Sequence, residues 1–227
     1  DESIFKYEDD DEIILCLNYD GLYGINNINR ILQNNNPNRP IIWGINTYKV
    51  GDPVLFNESN MFSPLIHNNS KGKIVGIQVE EREIIFSIEL GQFINEIEAD
   101  NYNFLLRESE DGKSIITFSV SKYASTDEDD DSNIVPFQVS YAVSIHKSQG
   151  LEYNSVKIVI TNEVGEQITH NIFYTAITRA REKLKIYWSP ETENGVLSSF
   201  GSRKQSKDAY LLERFFNKAM SQQTVDK

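Results

Sequence analysis

Two short stretches in the second half of the chain hold side chains that can contact phosphate groups. The first, SYAVSIHKSQGLEY, spans residues 140–153, and its candidate positions are Ser144, His146, Lys147, Gln149, Gly150 and Glu152. The second, HNIFYTAITRAREKL, begins 20 residues after Gly150 and carries Arg179 and Arg181. Hydroxyl, imidazole and ammonium groups donate hydrogen bonds to phosphate oxygens, and a guanidinium presents several donors in one plane. These polar and charged side chains make the two stretches candidates for a functional site.

Both stretches are flanked by predicted strands. FQVSYAVS is predicted as a strand that ends near Ser144, SVKIVIT as a second strand and KLKIYW as a third, with a helix over HNIFYTAITRARE before the last. Alternating strands and helices are typical of a parallel sheet, and open sheets of this kind bind ligands at the carboxyl ends of their strands. We therefore expect the first stretch to lie at that edge and Arg179 to reach the same edge.

The rest of the chain divides into an α/β part and an all-β part. Residues 13–17, IILCL, form an apolar run typical of a buried strand. INNINRILQ predicts a helix whose apolar face is Ile25, Ile28, Ile31 and Leu32. Short apolar segments separated by glycines predict a small β-barrel, with a hairpin at EDGKS. The predicted fold class is α/β: a parallel sheet with helices on both faces at 1–45 and 123–227, interrupted by a small inserted β-barrel at 46–122.

The last part of the chain is predicted to begin with a polar loop, PETENG at residues 190–195, and to end in an amphipathic helix. The apolar stripe of that helix is Leu211, Leu212, Phe215, Phe216 and Ala219. We interpret the stripe as docking on the sheet domain, with a partner-binding helix as the alternative.

The charge of the chain at first argues against nucleic acid as a ligand, because the net charge of its 227 residues is −12. Two acidic runs, residues 8–12 and 127–131, hold ten of the 34 acidic residues, and without them 22 basic residues face 24 acidic ones. We interpret the runs as solvated loops, with a divalent-ion site as the alternative. The charge balance therefore does not exclude nucleic acid.

Cysteine content and hydropathy bear on the compartment. Cys16, the single cysteine, lies inside the apolar run at 13–17, so we expect a buried, unreactive thiol. No apolar run is long enough to span a bilayer, and the first residues lack the basic start and apolar stretch of a signal peptide. We expect a cytoplasmic protein with no membrane contact.

Together, YAVSIHKSQGLEY and FYTAITRAREKL resemble motifs V and VI of superfamily 1 helicases, the group that includes the UvrD and RecD families. The sequence HKSQG and the barrel insert favour the RecD-like branch. IILCLNYDGLYGINNINRILQNNNP is similar to the start of the second RecA-like domain in that branch, and VGDPVLFNESN followed by KGKIVGI resembles the barrel inserted there. The resemblance covers about residues 12–190 and implies a RecA-like sheet domain, the carboxyl-terminal motor half of an ATP-dependent DNA helicase or translocase.

The resemblance also implies a role for each candidate residue. Arg179 matches the catalytic arginine finger that reaches the γ-phosphate of ATP. Gly150, Glu152 and Gln149 match positions on the nucleotide side. Ser144, His146 and Lys147 match positions that contact single-stranded nucleic acid, which the RecD-like resemblance implies is DNA. No GxxxxGK[ST] phosphate loop occurs in the chain. We therefore expect ATP and Mg²⁺ to be held mostly by the first RecA-like domain of a longer chain, and we assign no metal ligand here.

One position departs from the family pattern, and two other functions stay open. Helicases of this superfamily often have a second arginine near the first strand of this domain, where this chain has Asn18 and Tyr19; Arg30 is a remote candidate for that role. The alternatives are a non-motor nucleic-acid-binding module that uses the barrel and a degenerate regulatory domain. Acidic residues outnumber basic ones across the barrel segment, which counts against the first, and Arg179 and Glu152 are both present, which counts against the second.

Overall fold

The computed structural model describes residues 2–9, 11–57, 61–109, 111–123, 133–163 and 168–198. The strands are β1 (Glu12–Cys16), β2 (Ile41–Trp43), β3 (Asn46–Tyr48), β4 (Pro53–Phe56), β5 (Lys71–Val79), β6 (Glu83–Leu90), β7 (Leu105–Glu108), β8 (Ser114–Ser121), β9 (Phe137–Val139), β10 (Ala142–Ser144), β11 (Tyr153–Val159) and β12 (Ala180–Tyr187). The α-helices are α1 (Ile25–Asn35), α2 (Glu96–Ala99) and α3 (His170–Ile177), and residues 190–198 are also helical. The predicted helix over 211–219 and the acidic run at 127–131 lie outside the described residues.

Four parallel strands form the sheet that carries both motif stretches, in the order β10, β1, β11, β12. The central strand β1 is buried along its whole length, as a strand covered on both faces must be. Ile13 and Leu15 belong to the apolar cluster that includes Ala176 of α3. Ile14 and Cys16 belong to the opposite cluster, which includes the buried residues of α1. The predicted parallel sheet with helices on both faces is confirmed.

Helix α1 shows why its sequence folds as it does. Ile25, Ile28 and Leu32 are its buried residues, and their spacing of three and four positions places them on one side of a helix. The remaining positions are mostly Asn, which the structure leaves at the surface or uses for side-chain hydrogen bonds. The predicted apolar face is therefore confirmed for these three residues, whereas Ile31, the fourth predicted member, is only partly buried.

Six antiparallel strands form a second sheet, in the order β7, β8, β6, β5, β4, β9. Burial alternates along β6 and β8, so one face of the sheet builds a core, as the period of two requires. That core is rich in phenylalanine, and its aromatic members Phe56, Phe62, Phe86, Phe118 and Phe137 meet mostly edge to face.

A closed barrel is not confirmed for this sheet. Among the described residues, β7 pairs only with β8 and β9 only with β4, so the two edge strands do not join. The open face is covered instead by side chains from the connections between strands, including Phe62, Ile66, Ile94 and Ala99. These residues cover the phenylalanine core, so no seventh strand is needed to bury it. The hairpin predicted at EDGKS is present between β7 and β8, where Gly112 adopts a φ of +73°.

The strand predicted over FQVSYAVS is in fact two strands in different sheets. β9 pairs with β4 of the antiparallel sheet, whereas β10 pairs with β1 of the parallel sheet. The break falls at Ser140 and Tyr141, where the Tyr141 hydroxyl donates to the buried Asp52 carboxylate at 2.8 Å. No glycine or proline interrupts FQVSYAVS, so the sequence gives no signal of this change of sheet. The domain boundaries stay a prediction.

Two predicted boundaries near the second motif are wrong. Helix α3 ends at Ile177, and β12 already begins at Ala180, so Arg179 and Arg181 are not on the helix. The loop predicted at 190–195 is helical, with the Ser189 hydroxyl accepting from the Thr192 amide at 3.1 Å. Serine before Pro190 is a helix-start signal, and the apolar Val196 that follows is buried.

The acidic run at 8–12 is only in part a solvated loop: Glu8 is exposed, whereas Glu12 is buried in β1. Its described acidic residues also pair with basic strand residues. Glu8 contacts Lys185 at 2.7 Å, Asp9 contacts Lys183 at 3.5 Å, and Asp11 contacts Arg181 at 2.5 Å. The three cations alternate along one side of β12, since side chains two apart in a strand share a face. The run therefore neutralises a basic strand of its own chain.

The Cys16 thiol is fully buried. Burial raises the pKa of this thiol to about 12, which confirms the expectation of an unreactive cysteine. Among the helices in the described ranges, none has the length and apolar character needed to cross a membrane.

Candidate functional site

The first motif begins where β10 ends and continues as a helical turn. The Ser144 hydroxyl accepts from the Lys147 amide at 3.2 Å, and the Ser148 amide donates to the Ser144 carbonyl at 3.2 Å. Ser148, which is fully buried, returns a hydrogen bond from its hydroxyl to the Ile145 carbonyl at 2.7 Å. Serine at both positions thus closes the turn through side-chain to backbone bonds. The turn holds the following residues at the carboxyl edge of the sheet, as predicted.

The turn presents its basic residues differently. His146 is exposed, whereas Lys147 is half-buried and donates from Nζ to Gln138 Oε1 at 2.8 Å. Ser144 has only 8% of its surface exposed, and its hydroxyl is used inside the turn. Of the three residues predicted to contact single-stranded nucleic acid, His146 and Lys147 have accessible side chains. The hydroxyl of the third, Ser144, binds the Lys147 amide.

After the turn, the chain crosses from the carboxyl edge of the sheet back to the amino edge, where β11 begins. This crossing is required because β10 and β11 both run parallel to β1. Gly150 adopts a φ of +85°, a region that favours glycine. No protein atom lies within 4 Å of where its Cβ would be, so glycine is required by the turn and the space beside it is open. Gln149 and Glu152 are exposed. Three nucleotide-side candidates therefore lie on an open surface between the two edges.

Arg179 is brought to the amino edge of the sheet, and the expectation that it shares the carboxyl edge is wrong. It lies just before β12 and therefore beside the start of β11: the Tyr153 amide donates to its carbonyl at 2.8 Å. Its guanidinium donates to the carbonyls of Thr175 and Leu151 at 2.9 and 2.8 Å and to the Thr178 hydroxyl at 3.0 Å. The two motifs meet at this point, with the end of the first held by the arginine of the second.

A charged cluster that the sequence did not reveal lies beside Arg179. The Asp11 carboxylate accepts from Lys71 at 2.7 Å, from Arg181 at 2.5 Å and from the Asn154 amide at 3.2 Å. Burial, followed by the nearby Asp11 carboxylate, raises the pKa of Tyr153, which keeps that phenol neutral. The residues are distant in sequence, and only the sheet pairing brings them together. Arg181 is therefore ion-paired with Asp11 and is not oriented like Arg179.

A cleft of about 1410 Å³ opens beside Lys147, and the sequence did not indicate it. It lies among α1, the β2–β3 hairpin and β9, and Gln138, the acceptor of Lys147, lines it. The hairpin contributes Trp43 together with the exposed side chains of Ile42 and Ile45. The only sequence signal was this short apolar cluster before a glycine.

Two of the three residues considered for the second arginine position also border this cleft. Tyr19 lines it, and Arg30 lines it while donating to Asn27 Oδ1 at 2.7 Å. Asn18 donates to the Asp20 carbonyl at 2.9 Å. Asn18 and Tyr19 follow the carboxyl end of β1 and Arg30 lies on α1, whereas Arg179 lies at the amino edge of the sheet. The structure does not bring a second arginine to Arg179 from these positions.

Residues 139–187 match the UvrD-like helicase C-terminal domain. The chain is 26% identical over 183 residues to the RecBCD enzyme subunit RecD of Buchnera aphidicola subsp. Schizaphis graminum, covering 78% of this chain and 25% of that protein. It is 29% identical over 77 residues to the ATP-dependent RecD2 DNA helicase of Deinococcus radiodurans, covering 34% of this chain and 10% of that protein. These similarities support a superfamily 1 helicase C-terminal domain of the RecD-like type, as the motifs predicted.

The crystal structure of Pif1 helicase from Candida albicans overlaps 85% of this chain and 50% of its own, with 16% identity and a TM-score of 0.46. A likeness this distant adds nothing on function. The chain spans about a quarter of the length of the RecD protein described above, so the activity of a whole protein is a matter for proposal.

Proposed function

We propose that this chain is the carboxyl-terminal motor half of an ATP-dependent DNA helicase or translocase. The observation that carries the proposal is the junction of the two motifs, where Arg179 Nη1 donates to the Leu151 carbonyl at 2.8 Å and the Tyr153 amide donates to the Arg179 carbonyl at 2.8 Å. An arginine and the segment with Gly150 and Glu152 thus share one site. The similarity to RecD proteins supports the same role.

At the amino edge, we propose that Arg179 is the arginine finger. Three guanidinium N–H groups are used within the chain, so two of its five donors stay available to phosphate oxygens. An arginine placed on the γ-phosphate neutralises charge that develops during phosphoryl transfer and accelerates the reaction by about 10³ to 10⁵. Exposed Glu152 can accept a ribose hydroxyl, and exposed Gln149 can donate to the nucleotide or to the first domain.

ATP and Mg²⁺ need further groups that we assign to a first RecA-like domain of the same protein. This chain contains no GxxxxGK[ST] loop to surround the phosphates. Within the described ranges, no three His, Cys, Asp or Glu side chains cluster as metal ligands. The proposal therefore gives this chain the finger and the nucleotide-sugar contacts and gives the phosphate and metal sites to its partner domain.

At the carboxyl edge, we propose that His146 and Lys147 contact the backbone of single-stranded DNA. An exposed imidazole and a lysine held by one neutral amide can both turn to phosphate oxygens, and such contacts bind without reading sequence. We propose that Ser144 positions Lys147 through the 3.2 Å bond to its amide. The neighbouring cleft offers Trp43 as a surface on which a base can stack.

That cleft also favours a second candidate, a nucleic-acid-binding module with no motor role. The cleft is bordered by the antiparallel sheet as well as by α1, so it could hold a single strand without any nucleotide site. This candidate predicts DNA binding in the absence of ATP hydrolysis.

Hydrolysis of ATP separates the two candidates. We expect the full-length protein to hydrolyse ATP in a single-strand-stimulated reaction, measured by phosphate release, and the 227-residue chain alone to release phosphate no faster than buffer. Full-length protein that binds single-stranded DNA but never hydrolyses ATP would support the non-motor module. Turnover by the 227-residue chain alone would contradict the division of the site between two domains.

A further inference from the structure

Lys71 leaves the antiparallel sheet to contact the amino edge of the parallel sheet. It is the first residue of β5, and its Nζ donates to the Glu152 carbonyl at 2.8 Å and to Asp11 Oδ1 at 2.7 Å. The same ammonium lies 4.2 Å from the centre of the Tyr153 ring, within the range of a cation–π contact. With 27% of its side chain exposed, Lys71 is fixed by three groups of the other sheet domain.

These contacts fall directly beside those of Arg179. Lys71 holds the Glu152 carbonyl and Arg179 holds the Leu151 carbonyl, and the two carbonyls belong to consecutive peptide units. The two units share the Glu152 Cα, and each carbonyl is held by its own cation, so a displacement of one unit shifts the position of the other. A movement of Lys71 therefore changes the acceptor that holds Arg179.

The other end of the same sheet reaches the carboxyl edge. Gln138 of β9 accepts from Lys147 at 2.8 Å. Leu55 of β4 is in register with Gln138 on one side and with Lys71 on the other. Residues in register across neighbouring strands point to the same face, so Gln138, Leu55 and Lys71 form one row across three strands.

This row faces the parallel sheet. Leu55 is fully buried in the apolar cluster that contains Val143, Ile145 and Tyr153. The row is thus held in its middle by the packing of Leu55. Polar contacts hold its ends, Gln138 near the carboxyl edge and Lys71 near the amino edge. A packed, hydrogen-bonded row of this kind moves as a unit.

We infer that the row Gln138, Leu55 and Lys71 couples the nucleic-acid edge to the nucleotide edge, with Lys71 as the positioning residue for the Leu151–Glu152 segment. The inference rests on the proposed function. When a phosphate draws Lys147 away from Gln138, the row is released at one end, and the change reaches the carbonyl that holds Arg179 at the other. DNA binding thereby frees the guanidinium for ATP.

The test is the stimulation of ATP hydrolysis by single-stranded DNA in the full-length protein. Lys71→Met removes the ammonium and keeps the length of the side chain, and we expect the ratio of kcat with a dT oligonucleotide to kcat without it to fall about fivefold or more, within the usual range of coupling between sites. Lys71→Arg keeps a cation that can reach Asp11 and the Glu152 carbonyl, so the ratio should recover. Lys113→Met is the matched control, because Lys113 contacts Glu89 within the antiparallel sheet at 2.8 Å.

Three results would overturn the coupling: an unchanged ratio in Lys71→Met, an equal loss in Lys113→Met, or a parallel fall of both rates that Lys71→Arg does not restore. A wild-type protein that hydrolyses no ATP would instead overturn the proposed function and the coupling together. Failure of the coupling can therefore be told apart from failure of the proposed function, because the first three results can be obtained only with an active wild-type protein.

Discussion

Both edges of the parallel sheet carry basic side chains, but these differ in how many bonds they already make within the chain. At the carboxyl edge, His146 is exposed and Lys147 is held by a single neutral amide. At the amino edge, Arg179 makes three hydrogen bonds to its own chain and Arg181 pairs with Asp11. The carboxyl edge is ready to accept a ligand, whereas the amino edge must exchange internal contacts for ligand contacts.

This difference has a physical consequence. A cation held by a neutral amide gives up little when it turns to a phosphate, but a guanidinium that leaves two carbonyls and a hydroxyl must recover that free energy from its new partner. The developing charge of a transferred phosphoryl group offers such a partner. Under the proposed function, Arg179 would leave its internal partners only as the reaction proceeds, whereas His146 and Lys147 would bind nucleic acid throughout.

The largest effect is expected from the buried ion pair that anchors the amino edge. Glu12 and Lys157 are completely buried and 2.8 Å apart, and the Ser155 hydroxyl donates to the same carboxylate at 2.7 Å. Glu12→Gln leaves the Lys157 ammonium without a countercharge, so the free energy of unfolding should fall by about 3 to 5 kcal/mol. Urea denaturation of the 227-residue chain measures it.

The exposed pair between Lys113 and Glu89 is the control for that change. Glu89→Gln should lower the free energy of unfolding by no more than about 1 kcal/mol, because water already solvates the lysine. Equal small losses in the two variants would show that the amino edge is not rigidly anchored, and the contrast between the edges would disappear.

A smaller effect is expected at the carboxyl edge. Lys147→Ala removes one proposed phosphate contact, so the full-length protein should bind dT and mixed-sequence single strands more weakly by the same factor. The slope of log affinity against log salt concentration should flatten by about one. Fluorescence anisotropy titrations at several salt concentrations measure both quantities.

Lys185→Ala is the matched change on the same sheet, since Lys185 is paired with Glu8 at 2.7 Å. Hydrogen bonding to Glu8 raises the pKa of Lys185, so this lysine stays charged, but its charge is paired with a carboxylate of its own chain. Its removal should leave the salt slope unchanged. A sequence-selective loss in Lys147→Ala, or an equal flattening in both variants, would remove Lys147 from the nucleic-acid contact.

The sequence predicted local elements well and their mutual placement less well. Residues 13–17 are apolar at every position, so burial on both faces followed directly, and the spacing of Ile25, Ile28 and Leu32 determined the buried side of α1. The change of sheet at Tyr141 was hidden because no glycine or proline separates the two strands. The helix at 190–198 was hidden by its polar composition despite the start signal at Ser189.

The candidate site shows the same division. The motif resemblance identified Arg179 and the segment from Ser144 to Glu152, because a motif is defined by residue types and their order along the chain. Their separation onto two edges depends on the return of the chain between β10 and β11, which only the pairing with β1 reveals. Lys71 and Asp11 were missed because 60 positions separate them in sequence although their charged groups are 2.7 Å apart.

The most direct test of the account is the rate of ATP hydrolysis by the full-length protein at saturating single-stranded DNA, with Arg179→Lys compared with Arg181→Lys. A lysine keeps the charge but loses the planar donors of a guanidinium. We predict that Arg179→Lys lowers the rate by about two to three orders of magnitude, with DNA affinity and thermal stability near those of wild type. We predict that Arg181→Lys, which can still pair with Asp11, keeps most of the rate. Near-normal hydrolysis by Arg179→Lys, or a loss matched by a fall in thermal stability, would contradict the assignment of the amino edge to ATP.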